Sequence, residues 1–313
     1  MENKTVVSEF VLLGLTHFQG LQHPLFVLFL LLYMANLLGN GAIIAVVLVK
    51  SQLHTPMYFF LGNLSCLDIF YCTVTVPKML AGFLYGHQAI SFVGCLVQLH
   101  FFHFLGSSEA VLLAVMAYDR YTAICNPLHY RLVMSPRACL FLVVATWTSG
   151  FLHALMTTVM TSRLPFCGPR HVQHFCCDIK PLLRLACGST HLNLTLLNID
   201  AVVFGLCSFI LILLSYLYIF SFLLLKIESR EGRRKAFSTC ASHLTVVVLL
   251  YVPVLFNYML SSEGSSSERE MMVTLMYSVI TPVLNPLIYT LRNQEVKSTL
   301  REFLTRNLVS RKE

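Results

Sequence analysis

Residues 116–126 read Met-Ala-Tyr-Asp-Arg-Tyr-Thr-Ala-Ile-Cys-Asn, and they close a long apolar segment of the chain. Asp119, Arg120 and Tyr121 lie where that segment ends. The Arg120 guanidinium is always charged and needs water or an acceptor, which Asp119 can supply in one conformation and withdraw in another. The alternative interpretation is that both charges extend to water at a membrane surface. The stretch therefore indicates either a conformational switch or an ordinary interfacial helix end.

The composition is that of a membrane protein. The 313 residues are 56% apolar and 12% charged, with a mean hydropathy of +0.71, whereas a soluble domain carries about 25% charged residues. The net charge of +7 would also suit nucleic acid, but the basic residues lie in short patches between apolar runs. That distribution is typical of contact with lipid headgroups, so we expect a lipid bilayer and no nucleic acid as partner.

Seven apolar segments are each near or above the roughly 20 residues that span a bilayer. They cover approximately residues 25–49, 57–85, 92–124, 138–160, 196–225, 237–260 and 271–291. The sequence therefore predicts an all-α membrane protein, a seven-transmembrane helix bundle that forms a single domain over residues 1–313.

Basic residues set the predicted orientation. With the N-terminus outside, 15 of the 22 Lys and Arg residues fall on the inner side and 7 on the outer side, as the positive-inside rule requires. Residues 1–22 are then extracellular, with no cleaved signal peptide and an N-glycosylation motif at Asn3. The cytoplasmic tail, residues 292–313, carries apolar side chains at helical spacing and predicts a short amphipathic helix on the inner membrane face. These side chains are Val296, Leu300, Phe303 and Leu304.

The one long loop covers residues 163–194 and lies on the outer side in this arrangement. It lacks helical or strand periodicity, and loops of this length are usually functional or cross-linked. It holds four cysteines in a compartment that favours disulfides. They are Cys167, Cys176, Cys177 and Cys187. Cys95, at the outer start of the third segment, is placed where it can be tied to the same loop.

Polar side chains within the predicted helices mark a candidate ion site. Asp68 is a carboxylate deep in the second segment and Glu109 lies about midway along the third; such a group needs a partner, a cavity or an ion. Asn40 and Asn285 add amide oxygens, and an all-oxygen group of this kind suits sodium. The alternative is that one carboxyl is protonated and hydrogen-bonded to the other. Both interpretations stay open, and neither involves catalysis.

Asn285-Pro286 interrupts the seventh segment, and Tyr289 follows on the next turn. Proline removes one backbone hydrogen bond and frees a carbonyl, which predicts a hinge. A static kink is the alternative, since kinks are common in membrane helices.

A candidate pocket is formed by residues that can share one side of the third and sixth helices. On the third helix they are Phe102, His103, Gly106 and Ser107, and on the sixth they are Tyr251, Val254, Leu255 and Tyr258. Gly106 leaves room, and the others give an apolar wall with a few polar tips, which suits a small, largely apolar ligand. The alternative for each residue is helix–helix packing.

Five strings occur together with the seven predicted spans. They are Pro-Met-Tyr-Phe-Phe-Leu at 56–61, Leu-Ser-Cys-Leu-Asp at 64–68, Met-Ala-Tyr-Asp-Arg-Tyr-Thr-Ala-Ile-Cys at 116–125, Lys-Ala-Phe-Ser-Thr-Cys-Ala-Ser-His-Leu at 235–244 and Pro-Val-Leu-Asn-Pro-Leu-Ile-Tyr at 282–289. Together they resemble an olfactory receptor, a rhodopsin-like G-protein-coupled receptor, over essentially the whole chain. One departure is local, because Leu250-Tyr251-Val252-Pro253 stands where the family often reads Phe-Tyr-Gly, and Pro253 predicts a bend.

The resemblance implies that a small volatile or apolar ligand binds between the third and sixth helices and activates a heterotrimeric G protein. The stimulatory olfactory type, which raises cyclic AMP, would be the partner. The activation switch would consist of Asp119, Arg120, Tyr121, Asn285, Pro286 and Tyr289, which rearrange as the sixth helix moves outward. The resemblance also implies a Cys95–Cys177 disulfide, since Cys177 directly precedes Asp178 as in the family pattern, with Cys176 as the competing neighbour. Cys167–Cys187 would then close the loop on itself.

The alternative function is an ion channel or transporter, in which Asp68, Glu109 and the histidines line an ion path. The inverted repeats typical of many transporters are not evident in the chain. No His-Glu-x-x-His or Gly-x-Ser-x-Gly motif occurs, so the sequence predicts that the protein is not an enzyme. We expect an odorant receptor in the plasma membrane.

Overall fold

Seven long helices make up most of the protein. The structure, a computed structural model, describes residues 7–15, 19–86, 88–167, 170–260 and 266–292. Helices α1 to α7 run over Gly20–Val49, Pro56–Tyr85, Phe92–Cys125, Pro136–Ser162, His191–Lys226, Arg230–Met259 and Ser267–Tyr289, each long and apolar enough to cross a membrane. The predicted seven-helix bundle is confirmed. The predicted amphipathic helix of the tail and the glycosylation motif at Asn3 lie outside the described residues.

Several helices begin earlier than hydropathy predicts, among them α5 at His191 and α6 at Arg230. The first turns of α6 are polar, but the helix starts there because the Ser229 side chain accepts a hydrogen bond from the Gly232 N–H at 3.2 Å. Such a cap satisfies a backbone donor that would otherwise have no partner. The length of an apolar run therefore indicates only the part of a helix that is suited to lipid, and the helix itself can extend further. Because α5 begins at His191, the loop predicted over residues 163–194 ends earlier than predicted.

Three helices contain a stretch of wider π-helix. These stretches cover Ala201–Cys207 in α5, Phe256–Leu260 at the end of α6 and Met276–Ile280 in α7. Pro253 lies just before the π-helical stretch of α6, close to where its missing N–H predicts a bend. π-Helical turns are rare and are found mostly at functional sites.

A small sheet joins three distant parts of the chain at one end of the bundle. Strand β1 (Glu9–Leu12) pairs antiparallel with β2 (Ala89–Ser91) and parallel with β3 (His171–Val172). The sequence did not predict these strands, because two to four residues are too few to show an alternating pattern. A short helix, Ile179–Leu183, also lies in the loop where no periodicity was found. We call this end of the bundle the sheet end and the other the Arg120 end.

Two disulfides lie at the sheet end. Cys95 is bonded to Cys177 and Cys167 to Cys187, with Cα–Cα distances of 5.5 and 5.9 Å. These are the pairs that the family resemblance implies. Cys176 is a free, buried thiol beside His174. The first bond fastens the long loop to the start of α3. Both of its cysteines belong to one buried cluster with Phe10 and Leu12 of β1.

Loss of the Cys95–Cys177 bond should destabilise the protein more than loss of Cys167–Cys187. The two bonds close chain segments of 82 and 20 residues, and the chain-entropy relation makes the longer closure worth about 1 kcal/mol more. Thermal unfolding of the two double Cys→Ser variants in detergent measures the difference. Peptide mapping without reduction checks the pairing, and a Cys95–Cys187 peptide would contradict it.

The outer faces of the helices are apolar. Among the large apolar side chains that are exposed are Leu31, Leu38, Leu48, Val144 and Leu214. An aqueous protein rarely exposes so continuous an apolar surface. Lipid chains are its natural cover, in agreement with the predicted bilayer partner.

Candidate functional site

A cavity lies between the helices, in the half of the bundle nearer the sheet end. The space not filled by atoms is about 710 Å³, including space open to solvent, which is within the range of small-molecule sites. Side chains from all helices except α1 line it. They are Tyr71, Phe102, His103, Gly106, Ser107, Ala110, His153, Thr157, Leu197, Asp200, Ala201, Phe204, Gly205, Leu250, Tyr251, Val254, Tyr258 and Tyr277. All three π-helical stretches contribute to this wall.

Seven of the eight residues predicted for the pocket line this cavity, and Leu255 does not. Leu255 instead packs toward α5, where a Cβ added at Gly205 would lie 3.3 Å from its Cδ2 atom. Leu255 follows Val254 directly, and since successive helical residues face about 100° apart, it is turned away from the cavity that Val254 lines.

Gly106 of α3 lies close to Tyr71 of α2 in the cavity wall. A Cβ added there would lie 2.9 Å from the Tyr71 hydroxyl oxygen, a distance that forces one of the two to move. Tyr71 is buried and meets the Phe102 ring edge to face, with centroids 5.2 Å apart. The sequence did not identify Tyr71, because it lies on α2 whereas the predicted pocket residues lie on α3 and α6.

Asp178 ties the long loop to the cavity wall. Its carboxylate accepts hydrogen bonds from His103 Nε2 at 3.1 Å and from the Tyr258 hydroxyl at 3.2 Å, besides the Ile179 N–H at 2.7 Å. Burial by itself raises the pKa of Asp178, but the hydrogen bond and charge of His103 offset this and bring the pKa below its usual value. The polar tips of His103 and Tyr258 are thus directed at the loop.

A second polar group lies across the cavity wall. Ser107 Oγ is 2.7 Å from His153 Nδ1, and His153 Nε2 is 3.0 Å from an Asp200 oxygen. The sequence reading missed His153 and Asp200, which stand in α4 and α5. Ionisable residues within apolar spans are rare and usually functional, and that signal identifies both.

The candidate ion site gathers four polar side chains in the core. Asn285 donates to both oxygens of Asp68 at 3.0 Å, and Asn40 donates to the Pro282 carbonyl at 3.1 Å. Glu109 is buried, interacts electrostatically with Asp68 and lies close enough to Asn285 for a weak hydrogen bond, while neither of its oxygens has a partner of good geometry among the described residues. The Oδ1 atoms of Asn40 and Asn285 are likewise unpaired there. The cluster therefore presents acceptors without matching donors.

In the part of the chain that the structure describes, no three His, Cys, Asp or Glu side chains are grouped as metal ligands.

Three of the residues predicted for the activation switch, Asp119, Arg120 and Tyr121, lie at the Arg120 end. Asp119 is buried and accepts a hydrogen bond from the Tyr130 hydroxyl at 2.8 Å, so in this conformation Tyr130 rather than Arg120 is its hydrogen-bond partner. Arg120 contacts the Met57 sulfur on α2. The Tyr121 ring meets Tyr218 of α5 edge to face, with centroids 5.3 Å apart.

The remaining switch residues lie on α7. Pro286 approaches α1 closely, since a Cβ added at Gly39 would lie 3.0 Å from its Cβ. The Tyr289 hydroxyl is buried without a partner among the described residues. The cavity and the residues predicted for the switch therefore lie at different depths of one bundle.

Comparisons with known proteins agree with this arrangement. The family model described as olfactory receptor matches residues 29–307. The human protein olfactory receptor 12D1 is 55% identical over 98% of this chain and 96% of its own length. Human olfactory receptor 12D3 is 53% identical over 98% of both chains.

Proposed function

Because this chain belongs to the olfactory receptor family, we propose that it binds a small, largely apolar odorant in the cavity and activates a heterotrimeric G protein. Members of this family are G-protein-coupled receptors that sense odorants, not enzymes. We take the partner to be the stimulatory olfactory type, which raises cyclic AMP. Family membership also favours the receptor over the channel or transporter alternative.

The observation that carries the proposal is the cavity itself. Its wall is largely apolar, and it joins six of the seven helices, so a ligand inside it contacts every element that would have to move. Seven of the eight residues predicted from the sequence to bind the ligand lie in that wall, and a residue must line the cavity in order to contact a ligand inside it. A ligand can shift a conformational equilibrium only through contacts that differ between the two states.

We place the sheet end outside the cell and the Arg120 end in the cytoplasm of a plasma-membrane receptor. The excess of Lys and Arg near the Arg120 end supports this orientation, as do the disulfides at the sheet end, which need an oxidising compartment. Asn3 would then be available for glycosylation.

Two contacts indicate how the cavity can communicate with the Arg120 end. The Tyr251 hydroxyl donates to the Ala110 carbonyl at 2.8 Å and holds α6 against α3. Nearer the Arg120 end, the Tyr216 hydroxyl lies 2.8 Å from His243 Nδ1 and joins α5 to α6. A ligand that displaces Tyr251 would release the first contact and let α6 move away from α3, which we propose exposes Arg120 to the G protein.

For the core cluster, sodium and a shared proton remain two proposals. The unpaired oxygens of Glu109, Asn40 and Asn285 support an ion, whereas the closeness of two carboxylates supports a proton. Thermal unfolding in sodium chloride and in choline chloride at equal ionic strength separates the two, since only a bound sodium ion stabilises selectively.

Cells that express the receptor with a cyclic AMP reporter should respond to a subset of a broad odorant panel in a dose-dependent manner. The response should require the stimulatory G protein and disappear in cells that lack it. The same ligands should produce no current from the purified protein in liposomes. A ligand-gated current without any G protein would contradict the receptor proposal and support the channel.

A further inference from the structure

We propose that the cavity prefers a hydrogen-bond-donating ligand, a small apolar molecule with a protonated amine that binds the Asp200 carboxylate. This inference deepens the proposed function and rests on the cavity being the odorant site. It follows from which polar atoms in the wall still lack a hydrogen-bond partner.

The Ser107–His153–Asp200 group presents acceptors to the cavity. An ionised carboxylate only accepts, so the 3.0 Å contact with Asp200 assigns a proton to His153 Nε2. His153 Nδ1 then accepts from the Ser107 hydroxyl at 2.7 Å. The Ser107 hydroxyl proton and the His153 Nε2 proton are therefore both engaged in hydrogen bonds. The other Asp200 oxygen has no partner among the described residues.

The other polar groups of the wall direct their protons at the protein. The Tyr251 hydroxyl donates to a backbone carbonyl, Tyr258 donates to the Asp178 carboxylate, and Tyr277 donates to Thr274. Thr157 donates to the His153 carbonyl at 3.1 Å. A ligand that needs donors finds few in these positions.

Tyr71 is the exception, because no hydrogen bond of its hydroxyl is described and it can donate or accept. One neutral hydroxyl cannot balance the charge of an anionic ligand, however. Its position beside Gly106 suits contact with a neutral part of the ligand.

The charge of the wall points the same way. None of the described residues that line the cavity is Lys or Arg, and His103 is paired with the Asp178 carboxylate at 3.1 Å. The Asp200 side chain is 12% exposed, so a ligand can reach it. A carboxylic acid would place a second negative charge near Asp200 in an apolar site, which is unfavourable, whereas an ammonium group forms a charge-assisted hydrogen bond there.

The rest of the wall selects an apolar body. Phe204 stacks near His153, with ring centroids 4.6 Å apart, and Leu197, Leu250 and Val254 complete the apolar surface around the polar group. A compact hydrocarbon skeleton with one terminal nitrogen fits this distribution.

The test uses four compounds that share a cyclohexylmethyl skeleton and end in an amine, an alcohol, a carboxylic acid or a methyl group. Binding to the purified receptor in nanodiscs is measured by ligand-induced thermal stabilisation, and activation by cyclic AMP dose–response on cells. We expect the amine to bind at least tenfold more tightly than the alcohol, and the acid not to bind.

Two variants locate the effect. Asp200→Asn keeps the shape of the side chain and should remove the preference for the amine while leaving the alcohol affinity within about threefold, since the lost contact is charge-assisted. Asp200→Glu, the matched control, keeps the carboxylate and should keep the preference. If Asp200→Asn folds poorly, the affinities of the wild-type protein for the four compounds still test the inference.

Equal affinities for amine and alcohol, a preference for the acid, or no binding by any of the four compounds would overturn the inference. An amine preference that survives in well-folded Asp200→Asn would also overturn it. Since the binding measurement needs no G protein, amine binding without cyclic AMP would contradict only the proposed function. Cyclic AMP responses to other odorants without amine selectivity would contradict only this inference.

Discussion

Arg120→Ala is expected to abolish G-protein activation and to leave ligand binding unchanged. Arg120 lies at the Arg120 end, near the end of α3, whereas the cavity begins with Phe102 and ends with Ala110 on the same helix. Its contact with Met57 is also outside the cavity wall. Loss of the guanidinium therefore removes the group that we assign to the G protein without touching the ligand site.

The measurement pairs a cyclic AMP assay with ligand binding on receptors counted at the cell surface. Arg131→Ala is the matched control, because Arg131 is an exposed arginine in the short helix Tyr130–Val133, and we expect it to signal normally. Wild-type signalling by Arg120→Ala would instead support the interpretation that Arg120 merely extends to water.

Gly106→Leu should raise the ligand concentration needed for half-maximal response by tenfold or more. The added Cβ alone would lie 2.9 Å from the Tyr71 hydroxyl oxygen, and the remaining carbons would have to enter the cavity or displace Tyr71. Overpacking of this kind costs about 1–3 kcal/mol, and about 1.4 kcal/mol lost from binding is one decade of affinity.

Two controls separate the ligand site from ordinary packing. Gly41→Leu makes the same change on α1, where a new Cβ meets nothing within 4 Å, and should respond normally. Gly106→Ala should be partly rescued by Tyr71→Phe, which removes the atom that the new Cβ would meet, so the pair should not be additive. If surviving Gly106→Leu receptors keep normal sensitivity while surface display falls, the residue serves packing and the ligand binds elsewhere.

Helices could be predicted well from this sequence because a membrane imposes a requirement on every residue of a span. Backbone groups in lipid must be bonded within the segment, so seven apolar runs can hardly form anything other than seven helices. The same reasoning located seven of the eighteen residues of the cavity wall, since residues three and four apart on α3 share one face. Leu255 lies outside this wall, because one position of rotation decides between the cavity and α5.

The contacts between helices could not be predicted from the sequence. His153 and Asp200 are 47 residues apart, and neither carries a local pattern that names the other. Their 3.0 Å contact depends on how α4 and α5 are rotated against each other. Likewise, Tyr258 offered a polar tip for a ligand, but its hydroxyl is bonded to Asp178 in the loop. The sequence identifies the polar side chains, but only their packing in the structure shows which of them lack a hydrogen-bond partner.

The sheet at one end of the bundle also sets an order of events during synthesis. Val11 of β1 pairs with His171 of β3, and 171 − 11 = 160 residues must be translated between them. At about 5–20 residues per second, the first strand waits on the order of 8–32 s for its last partner, with one edge open to other chains. Cys177 emerges only six residues after His171, so completion of the sheet and oxidation of Cys95 become possible at nearly the same moment. Nascent chains that stall within α4 would therefore carry a strand with one open edge and a reduced Cys95 together, two features that distinguish an unfinished chain from a complete one.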